Sequence, residues 1–258
     1  MTAVAHDLDG QWAVVTGGSK GIGLGIARAL LDGGANVVLV ARGAGDLERA
    51  AGELRAVAAG GQQVLTMTAD TGDPSSLDHL FDRLESELPS LNVYVANAGF
   101  GIITPLLDIT LGEWQDQLAV NLTGTFLGVQ WAARRMAKLD PDANRAILVI
   151  SSIRALGARP GRLAYSATKG ALNQLVRVAA LELAEHGIRV NALSPGITAT
   201  PMALEKNPEV YAQMTASVPL GRSGAPEDMG AAARYLCSPA ARFVTGTNLV
   251  VDGGESLA

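Results

Sequence analysis

The chain has 258 residues and a mass of 26.6 kDa, which is enough for one large hydrophobic core without division into separate domains. Hydrophobic residues make up 48% and charged residues 17% of the sequence, a composition typical of globular proteins with a buried sheet and not of disordered chains. The formal net charge of −5, the absence of any lysine or arginine run and the shortness of every apolar stretch exclude a nucleic-acid surface and a membrane span.

Strand-like and helix-like segments alternate along the whole chain. Seven short segments rich in Val, Ile and Leu are typical of parallel strands covered on both faces: residues 12–16, 36–41, 63–69, 92–96, 146–150, 189–193 and 248–251. Helical spacing between them predicts helices over residues 22–31, 47–59, 75–88, 111–137 and 167–185. Asp73, followed by Pro74, is the predicted cap of the third helix.

This alternation predicts an α/β fold with a doubly wound, Rossmann-like parallel sheet of about seven strands and helices on both faces. No linker or charge block interrupts the pattern, so residues 1–258 form a single predicted domain with residues 1–9 as an N-terminal extension. Residues 1–10 carry acids and no apolar core, so they are not read as a secretory signal. Residues 196–226, rich in Pro and Gly, form the one long irregular stretch and are the predicted substrate-binding loop or lid.

A glycine-rich segment follows the first predicted strand and opens the first helix. Gly17, Gly21 and Gly23 have the spacing Gly-x3-Gly-x-Gly. Such a turn lets the backbone approach a pyrophosphate at a helix N-terminus, although the same glycines could serve only as a tight turn. The position between strand and helix favours dinucleotide binding.

The residues after the second strand bear on the choice of nicotinamide cofactor. NAD(H) would favour a carboxylate here to bind the ribose 2′-hydroxyl, but this chain has Ala41 and Arg42. With Lys20 in the glycine loop, two cations suit a 2′-phosphate, so NADP(H) is favoured while NAD(H) remains possible. The alternative is that Arg42 merely lies in solvent.

Tyr165 and Lys169 form the candidate proton-transfer group, with Ser152 thirteen residues before the tyrosine. A free tyrosine has a pKa near ~10, too high for a base at neutral pH. A lysine ammonium at i+4 on the same helix face is predicted to lower that pKa, and Ser152 at a strand end could hold a substrate oxygen beside Tyr165. A tyrosine and a lysine at this spacing are also common on helix surfaces, but the combination with Ser152 and the glycine loop is specific.

These residues make the chain resemble the short-chain dehydrogenase/reductase family, in its compact form of about 250 residues. The resemblance runs from residue 10 to residue 254 and includes Asn97-Ala98-Gly99, Asn121, Pro195-Gly196 and the terminal Val-Val-Asp-Gly-Gly at 250–254. It implies an oxidoreductase that interconverts a small ketone and a secondary alcohol, and a homotetramer or homodimer built on residues 111–137 and 163–185. One cysteine and no disulfide fit a cytoplasmic location.

The resemblance also implies individual roles. Asn121 would hold a water that connects Lys169 to solvent, and Asp70 would bind the adenine amine; Asp70 could also, or instead, be a helix cap for the following turn. The expected catalytic residues are Asn121, Ser152, Tyr165 and Lys169. The expected cofactor contacts are Gly17, Ser19, Lys20, Gly21, Ile22, Gly23, Arg42, Asp70, Thr71, Asn97, Ala98, Gly99, Tyr165, Lys169, Pro195, Gly196, Thr198 and Thr200.

The chain departs from the family pattern at three positions. Ala96 replaces a frequent asparagine, Thr198 stands where an aliphatic residue is usual, and Ala41 replaces the acid of members that prefer NAD. The last departure is the basis for favouring NADP(H).

The substrate pocket is expected to include Phe100, Arg154, Ile197 and Met202. Arg154 could bind a carboxylate or phosphate of the substrate, although arginines in such loops are more often solvated or in interfaces. Arg159 and Arg162 are interpreted as surface or subunit-contact residues. The three histidines are scattered and do not have metal-ligand spacing, so no metal site is expected.

Two other functions compete with reduction of a free ketone. A nicotinamide-binding regulatory module would have the fold without the chemistry. A reductase of 3-oxoacyl thioesters on a carrier protein would need a basic docking face. His186 stands where carrier-using relatives often place an arginine, which ranks that second function lower.

Overall fold

The computed structural model describes residues 7–200 and 208–258. Within them, seven parallel strands form one sheet in the order β3-β2-β1-β4-β5-β6-β7. The strands are β1 Trp12–Thr16, β2 Asn36–Ala41, β3 Val64–Thr68, β4 Val93–Ala96, β5 Ala146–Ile150, β6 Arg189–Pro195 and β7 Asn248–Val251. The predicted single-domain, doubly wound parallel sheet is confirmed.

Eight α-helices lie in the described ranges. They are α1 Gly21–Asp32, α2 Ala44–Arg55, α3 Pro74–Glu87, α4 Leu111–Leu118, α5 Gly124–Met136, α6 Leu163–Leu183, α7 Pro208–Ala216 and α8 Pro226–Cys237. None of these helices combines the length and the apolar character that crossing a bilayer requires. Asp73 caps α3 by accepting a hydrogen bond from the Ser75 N–H, as predicted.

Two hydrophobic layers enclose the sheet because alternate residues of each buried strand point to opposite faces. In β1, Ala13 and Val15 pack on the side of α1, α2 and α8. Trp12 and Val14 pack on the side of α3, α5 and α6. Both faces are therefore covered, which explains why the strands read as unbroken apolar runs.

The structure differs from the sequence prediction in three regions. The predicted helix over residues 111–137 is interrupted by a π-helical turn, Ala119–Thr123, between α4 and α5. The predicted irregular stretch 196–226 contains α7, which begins at Pro208, a residue favourable in the first turn of a helix. The last turn of the predicted helix ending at residue 185 is a 3-10 turn, Ala184–His186.

The strand order places β1 between β2 and β4. β2 and β3 lie on one side of β1, and β4 to β7 lie on the other side. Ligands of open α/β sheets bind at the carboxyl ends of the strands beside such a reversal. The loops after β1, β2, β4, β5 and β6 all open at that edge.

Candidate active site

The glycine loop after β1 adopts a backbone that only glycine accommodates easily. Gly17 has φ +64° and Gly21 has φ +56°. A Cβ atom at Gly23 would lie 2.2 Å from the Gly17 carbonyl oxygen, so any side chain there would collide with the loop. The glycines are therefore required by the loop geometry as well as by the approach of a ligand.

Asn97, after β4, fixes this loop from the neighbouring strand. Its Nδ2 donates hydrogen bonds to the carbonyls of Thr16 at 2.9 Å and Gly17 at 3.1 Å. The Thr16 hydroxyl accepts from the N–H groups of Asn97 and Ala98. The Asn97 side chain thus holds the glycine loop, so any ribose contact in this segment falls to its backbone and to Ala98 and Gly99.

The N-terminus of α1 is suited to bind an anion. Lys20 is its cap residue and makes no side-chain capping bond, and the first turn contains no acidic residue. The first N–H groups of a helix have no partner inside the helix, and the helix dipole favours negative charge there. Lys20, Gly21, Ile22 and Gly23 surround these donors, and Ser19 is buried beside them.

Two cations lie free at the ends of β1 and β2. Lys20 and Arg42 are exposed and have no acidic partner among the described residues. The nearby carboxylate of Asp46 is paired with Arg49 at 2.7 Å. This corner therefore offers positive charge and no free acid at the position that follows Ala41.

Asp70 and Thr71 follow β3 at the same edge of the sheet. Asp70 Oδ1 accepts a hydrogen bond from the Gly72 N–H at 2.9 Å, which closes a turn and leaves α3 to be capped by Asp73. The alternative that Asp70 serves as the helix cap is therefore wrong. Its carboxylate remains partly exposed beside the half-buried Thr71.

Ser152, Tyr165 and Lys169 converge where β5 ends. Lys169 Nζ lies 5.6 Å from the centre of the Tyr165 ring and donates a 2.7 Å hydrogen bond to the Ile150 carbonyl. Ser152 is buried and caps the short 3-10 turn Ile153–Ala155, since its hydroxyl accepts from the Arg154 N–H at 3.1 Å. The i, i+4 spacing on α6 places the phenol and the amine on one face, as expected.

The pKa values of this group differ from the sequence prediction. Burial raises the pKa of the Tyr165 phenol above its ordinary value, while a hydrogen bond with Ser152 and the charges of Arg162 and Arg154 act to lower it. Burial also lowers the pKa of the Lys169 ammonium to about 8. The predicted lowering of the tyrosine pKa is therefore not found, since burial outweighs the interactions that act to lower it.

Asn121 lies in the π-helical turn and reaches the loop after β4. Its Oδ1 accepts from the Phe100 N–H at 3.0 Å and its Nδ2 donates to the Phe100 carbonyl at 2.9 Å. A Cβ atom at Gly99 would lie 3.1 Å from Asn121 Oδ1 and 3.8 Å from Lys169 Nζ. Asn121 and Lys169 therefore flank the same small space, which only glycine at position 99 leaves open.

The segment after β6 is held by several backbone hydrogen bonds. The Ile197 carbonyl accepts from the Gly224 N–H at 2.9 Å, and the Ala199 N–H donates to the Gly224 carbonyl at 2.8 Å. Thr198 is buried and its hydroxyl donates to the Gly196 carbonyl. Pro195, Gly196, Thr198 and Thr200 thus lie beside the catalytic edge, whereas Met202 is outside the described residues.

Arg154 does not offer a free charge to a substrate. Its Nη2 donates to Glu255 Oε1 at 2.6 Å, and Glu255 Oε2 accepts from the Ile197 N–H at 2.6 Å. Glu255 joins the loops after β5 and β6. Sequence reasoning missed it because Arg154 and Glu255 are 101 residues apart, a separation that no local pattern reveals.

Arg162 makes a contact with Tyr165 that the sequence analysis did not predict. It is half-buried, and its guanidinium carbon lies 6.0 Å from the centre of the Tyr165 ring. The interpretation of Arg162 as a surface or subunit-contact residue did not include this contact with the Tyr165 ring. Its position three residues before Tyr165, at the start of α6, was the signal that could have revealed this.

The geometry agrees with what comparison with known proteins finds. A family model described as "Enoyl-(Acyl carrier protein) reductase" matches residues 17–256. "3beta-hydroxysteroid dehydrogenase 1" of Eggerthella lenta is 39% identical over 97% of this chain and 95% of its own length. The chain belongs to the short-chain dehydrogenase/reductase family.

Two further comparisons support this membership. "NADP-dependent (R)-specific alcohol dehydrogenase" of Lentilactobacillus kefiri is 36% identical over 96% of this chain and 97% of its own length. The crystal structure of a short-chain type dehydrogenase/reductase from Mycobacterium marinum superimposes with a TM-score of 0.90 at 33% identity, covering 98% of each chain. The protein is accordingly an oxidoreductase that acts on CH–OH or C=O groups of small molecules. The described residues contain no cluster of His, Cys, Asp or Glu that could hold a metal ion.

Proposed function

We propose that this protein is an NADP(H)-dependent oxidoreductase that interconverts a ketone and a secondary alcohol, with Tyr165 as the general acid and base. The observation that carries the proposal is the convergence of Ser152, Tyr165 and Lys169 at the end of β5, with Lys169 Nζ 5.6 Å from the phenol ring. A non-catalytic nicotinamide-binding module would not need this group together with Asn121.

The residues at the sheet edge fit a nicotinamide dinucleotide. The uncapped N-terminus of α1 and the glycine loop would hold its pyrophosphate, Asp70 and Thr71 its adenine, and Ala98 with Gly99 its ribose. Residues 195–200 would hold the carboxamide. When bound, the cofactor supplies or accepts hydride at the substrate carbon.

The free cations of Lys20 and Arg42 support a preference for NADP(H). A 2′-phosphate would neutralise both, whereas a 2′-hydroxyl would leave them without a partner. The Lentilactobacillus relative named as NADP-dependent points the same way. NAD(H) remains the alternative that the absorbance assay below tests.

The proton follows a route through the protein's own side chains. Ser152 and Tyr165 orient the substrate oxygen, and the phenol gives its proton to that oxygen during reduction. Lys169 has a pKa of about 8 because of burial, so it can return a proton to Tyr165 near neutral pH. Asn121 lies beside the same space and would hold a water molecule that connects Lys169 to solvent. Oxidation of the alcohol uses the same groups in reverse.

Three further features belong to the proposal. Residues 196–226 form the substrate-binding loop, and the apolar side chains Phe126, Val178 and Leu181, exposed on α5 and α6, support assembly into a homotetramer through these helices. The single cysteine, Cys237, is buried and unpaired, which suits work in the cytoplasm.

The decisive experiment replaces Tyr165 with phenylalanine. With a panel of ketones and secondary alcohols, turnover followed by NADPH absorbance should fall by about 10²–10⁴-fold, while NADPH binding measured by fluorescence persists. NADH is run in parallel to test the cofactor preference. Full turnover by Tyr165→Phe would refute the assigned role, and binding without turnover in the wild type would favour the regulatory module.

A reductase of 3-oxoacyl thioesters on a carrier protein is the second candidate; the description of the matching family model shares the acyl carrier protein with it but names reduction of an enoyl group, not of a ketone. A 3-oxoacyl thioester of N-acetylcysteamine, compared with the ketone panel, separates the two functions. His186, the residue expected to differ from carrier-using relatives, is exposed and lies 3.9 Å from Glu185, so this surface is not strongly basic. We therefore rank the free small ketone first.

A further inference from the structure

Three arginines surround the candidate substrate side of Tyr165. Arg154 and Arg162 act electrostatically on the Tyr165 phenol, and Arg159 acts on Arg162. Their charges are balanced by one carboxylate in direct contact, Glu255, which pairs with Arg154. Two positive charges, those of Arg159 and Arg162, are therefore left without an acidic partner in the described chain.

Arg162 is the cation nearest the reacting group. Its side chain stacks 6.0 Å from the Tyr165 ring centre, and a Cβ atom at Gly101 would lie 3.0 Å from its Nη1 and 3.2 Å from Tyr165 Cδ2. Among the described residues, the guanidinium of Arg162 makes one hydrogen bond, a long 3.4 Å contact of Nη1 with the Ile102 carbonyl. A guanidinium has five N–H donors, so most of the hydrogen-bonding capacity of Arg162 is unused by the protein.

The surroundings of Arg162 make an unpaired charge costly. Burial lowers its pKa, Tyr165 acts to raise it, and Arg159 and Arg154 act to lower it further. Glu113, the acid in the first turn of α4, is engaged by Thr104 and Thr110. A half-buried cation that repels its neighbours is best stabilised by an anionic ligand.

Arg159 lies three residues before Arg162, in the segment between β5 and α6. Its Nη1 contacts Met214 Sδ at 3.1 Å, which connects the loop after β5 to α7. The sulfur is neutral and leaves the charge of Arg159 uncompensated. The two unbalanced arginines are three residues apart in the segment that leads from this contact with α7 to Tyr165.

We infer that the substrate carries an anionic group, a carboxylate or a phosphate, and that Arg162 binds this group with Arg159 contributing long-range attraction. This inference rests on the proposed function and specifies its substrate class. Arg162 is then a specificity-determining residue that touches the substrate. Arg154 has a different task, because Glu255 already satisfies its charge.

Matched ketones test the inference directly. We would measure kcat/KM for 4-oxocyclohexanecarboxylate against its neutral carboxamide, and for dihydroxyacetone phosphate against dihydroxyacetone. The wild type should favour the anionic member of at least one pair by about tenfold or more. In Arg162→Gln that preference should fall by about ten- to a hundredfold, since a hydrogen bond to a charged group is lost. The pair whose preference changes shows whether the anionic group of the substrate is a carboxylate or a phosphate.

Two variants control the measurement. Arg162→Lys keeps the charge but loses the planar fork, so its preference should be intermediate. Arg28→Gln removes an exposed arginine of α1 and should leave the preference unchanged. An unchanged preference in a folded Arg162→Gln enzyme, or a wild type that favours the neutral members, would overturn the inference and leave the proposed function standing.

A binding measurement covers the case in which no probe ketone is reduced. Cyclohexanecarboxylate and inorganic phosphate are added separately to the NADPH complex, and the thermal midpoint is recorded. At least one anion should raise the midpoint for the wild type and not for Arg162→Gln. If neither anion shifts the wild-type midpoint, the inference is wrong whatever the activity. Failure of the whole ketone panel with a clear anion shift would instead count against the proposed reaction.

Discussion

At the carboxyl edge of the sheet, the loops after β1 to β4 and the loops after β5 and β6 are held in place by different interactions. We call the first group the cofactor side and the second the catalytic side. On the cofactor side, after β1 to β4, close steric fit and uncharged hydrogen bonds shape the loops, as with Gly17, Gly23 and the Asn97 side chain, which bonds across the sheet to the loop after β1. On the catalytic side, after β5 and β6, buried charges and distant ion pairs do so, as with Lys169 and the contact of Arg154 with Glu255. The cofactor side is thus governed by steric fit and the catalytic side by electrostatics.

The largest expected effect on the catalytic side comes from Lys169→Met. We expect turnover to fall by about a thousandfold, because Tyr165 loses the amine that returns its proton. Steady-state kinetics across pH would measure it, with the circular dichroism spectrum as the control for an intact fold. Turnover equal to that of the wild type would remove Lys169 from the proton route.

The same variant should be more stable than the wild type at neutral pH. The folded-state pKa of Lys169, about 8, lies below its ordinary value of 10.5, so the unfolded chain binds more protons between these two pH values. The resulting destabilisation is complete below pH ~8 and disappears as the pH rises through ~10.5. Urea unfolding should show Lys169→Met more stable by on the order of 3 kcal/mol at pH 7, with the gap narrowing by pH 10. A gap that widens with pH would contradict a buried lysine with a lowered pKa.

On the cofactor side, Gly23→Ala tests the steric rule. The added methyl would lie 2.2 Å from the Gly17 carbonyl, so the loop must shift, at a cost of about 1–3 kcal/mol. We expect NADPH affinity to fall by roughly 5- to 150-fold in a titration of cofactor fluorescence. Gly52→Ala is the matched control, because a Cβ at Gly52 on α2 has no atom within 4 Å. Equal effects of both substitutions would show that the crowding at Gly23 is unimportant.

The smallest expected effect is a charge change on the cofactor side. Arg42→Asp would replace a free cation with an acceptor for a ribose 2′-hydroxyl. The ratio of kcat/KM for NADPH over NADH should fall by about ten- to a hundredfold. Arg49→Gln, which alters an exposed arginine of α2 already paired with Asp46, should change this ratio far less. A preference for NADH in the wild type would show that Arg42 and Lys20 do not bind a phosphate.

The same division explains what the sequence could predict. The boundaries of β1, β2, β5 and β7 agree with the predicted segments, because buried parallel strands are continuous apolar runs. The glycine loop and the Tyr165–Lys169 spacing are local patterns and were found for the same reason. The Glu255 contact, the place of Arg162 over the phenol ring and the raised pKa of Tyr165 depend on long-range packing and burial, which no single segment records.

The direction of the Asn121 side chain depends on the number of residues in the π-helical turn Ala119–Thr123. A π turn accommodates one residue more than an α-helical turn. Deleting a single residue there would allow one regular helix in place of α4 and α5, and would rotate everything beyond it by about 100°. Either Asn121 would swing away from Phe100, or the buried face of α5 would turn away from the core. The extra residue of the π turn therefore keeps the Asn121 side chain directed at the loop after β4.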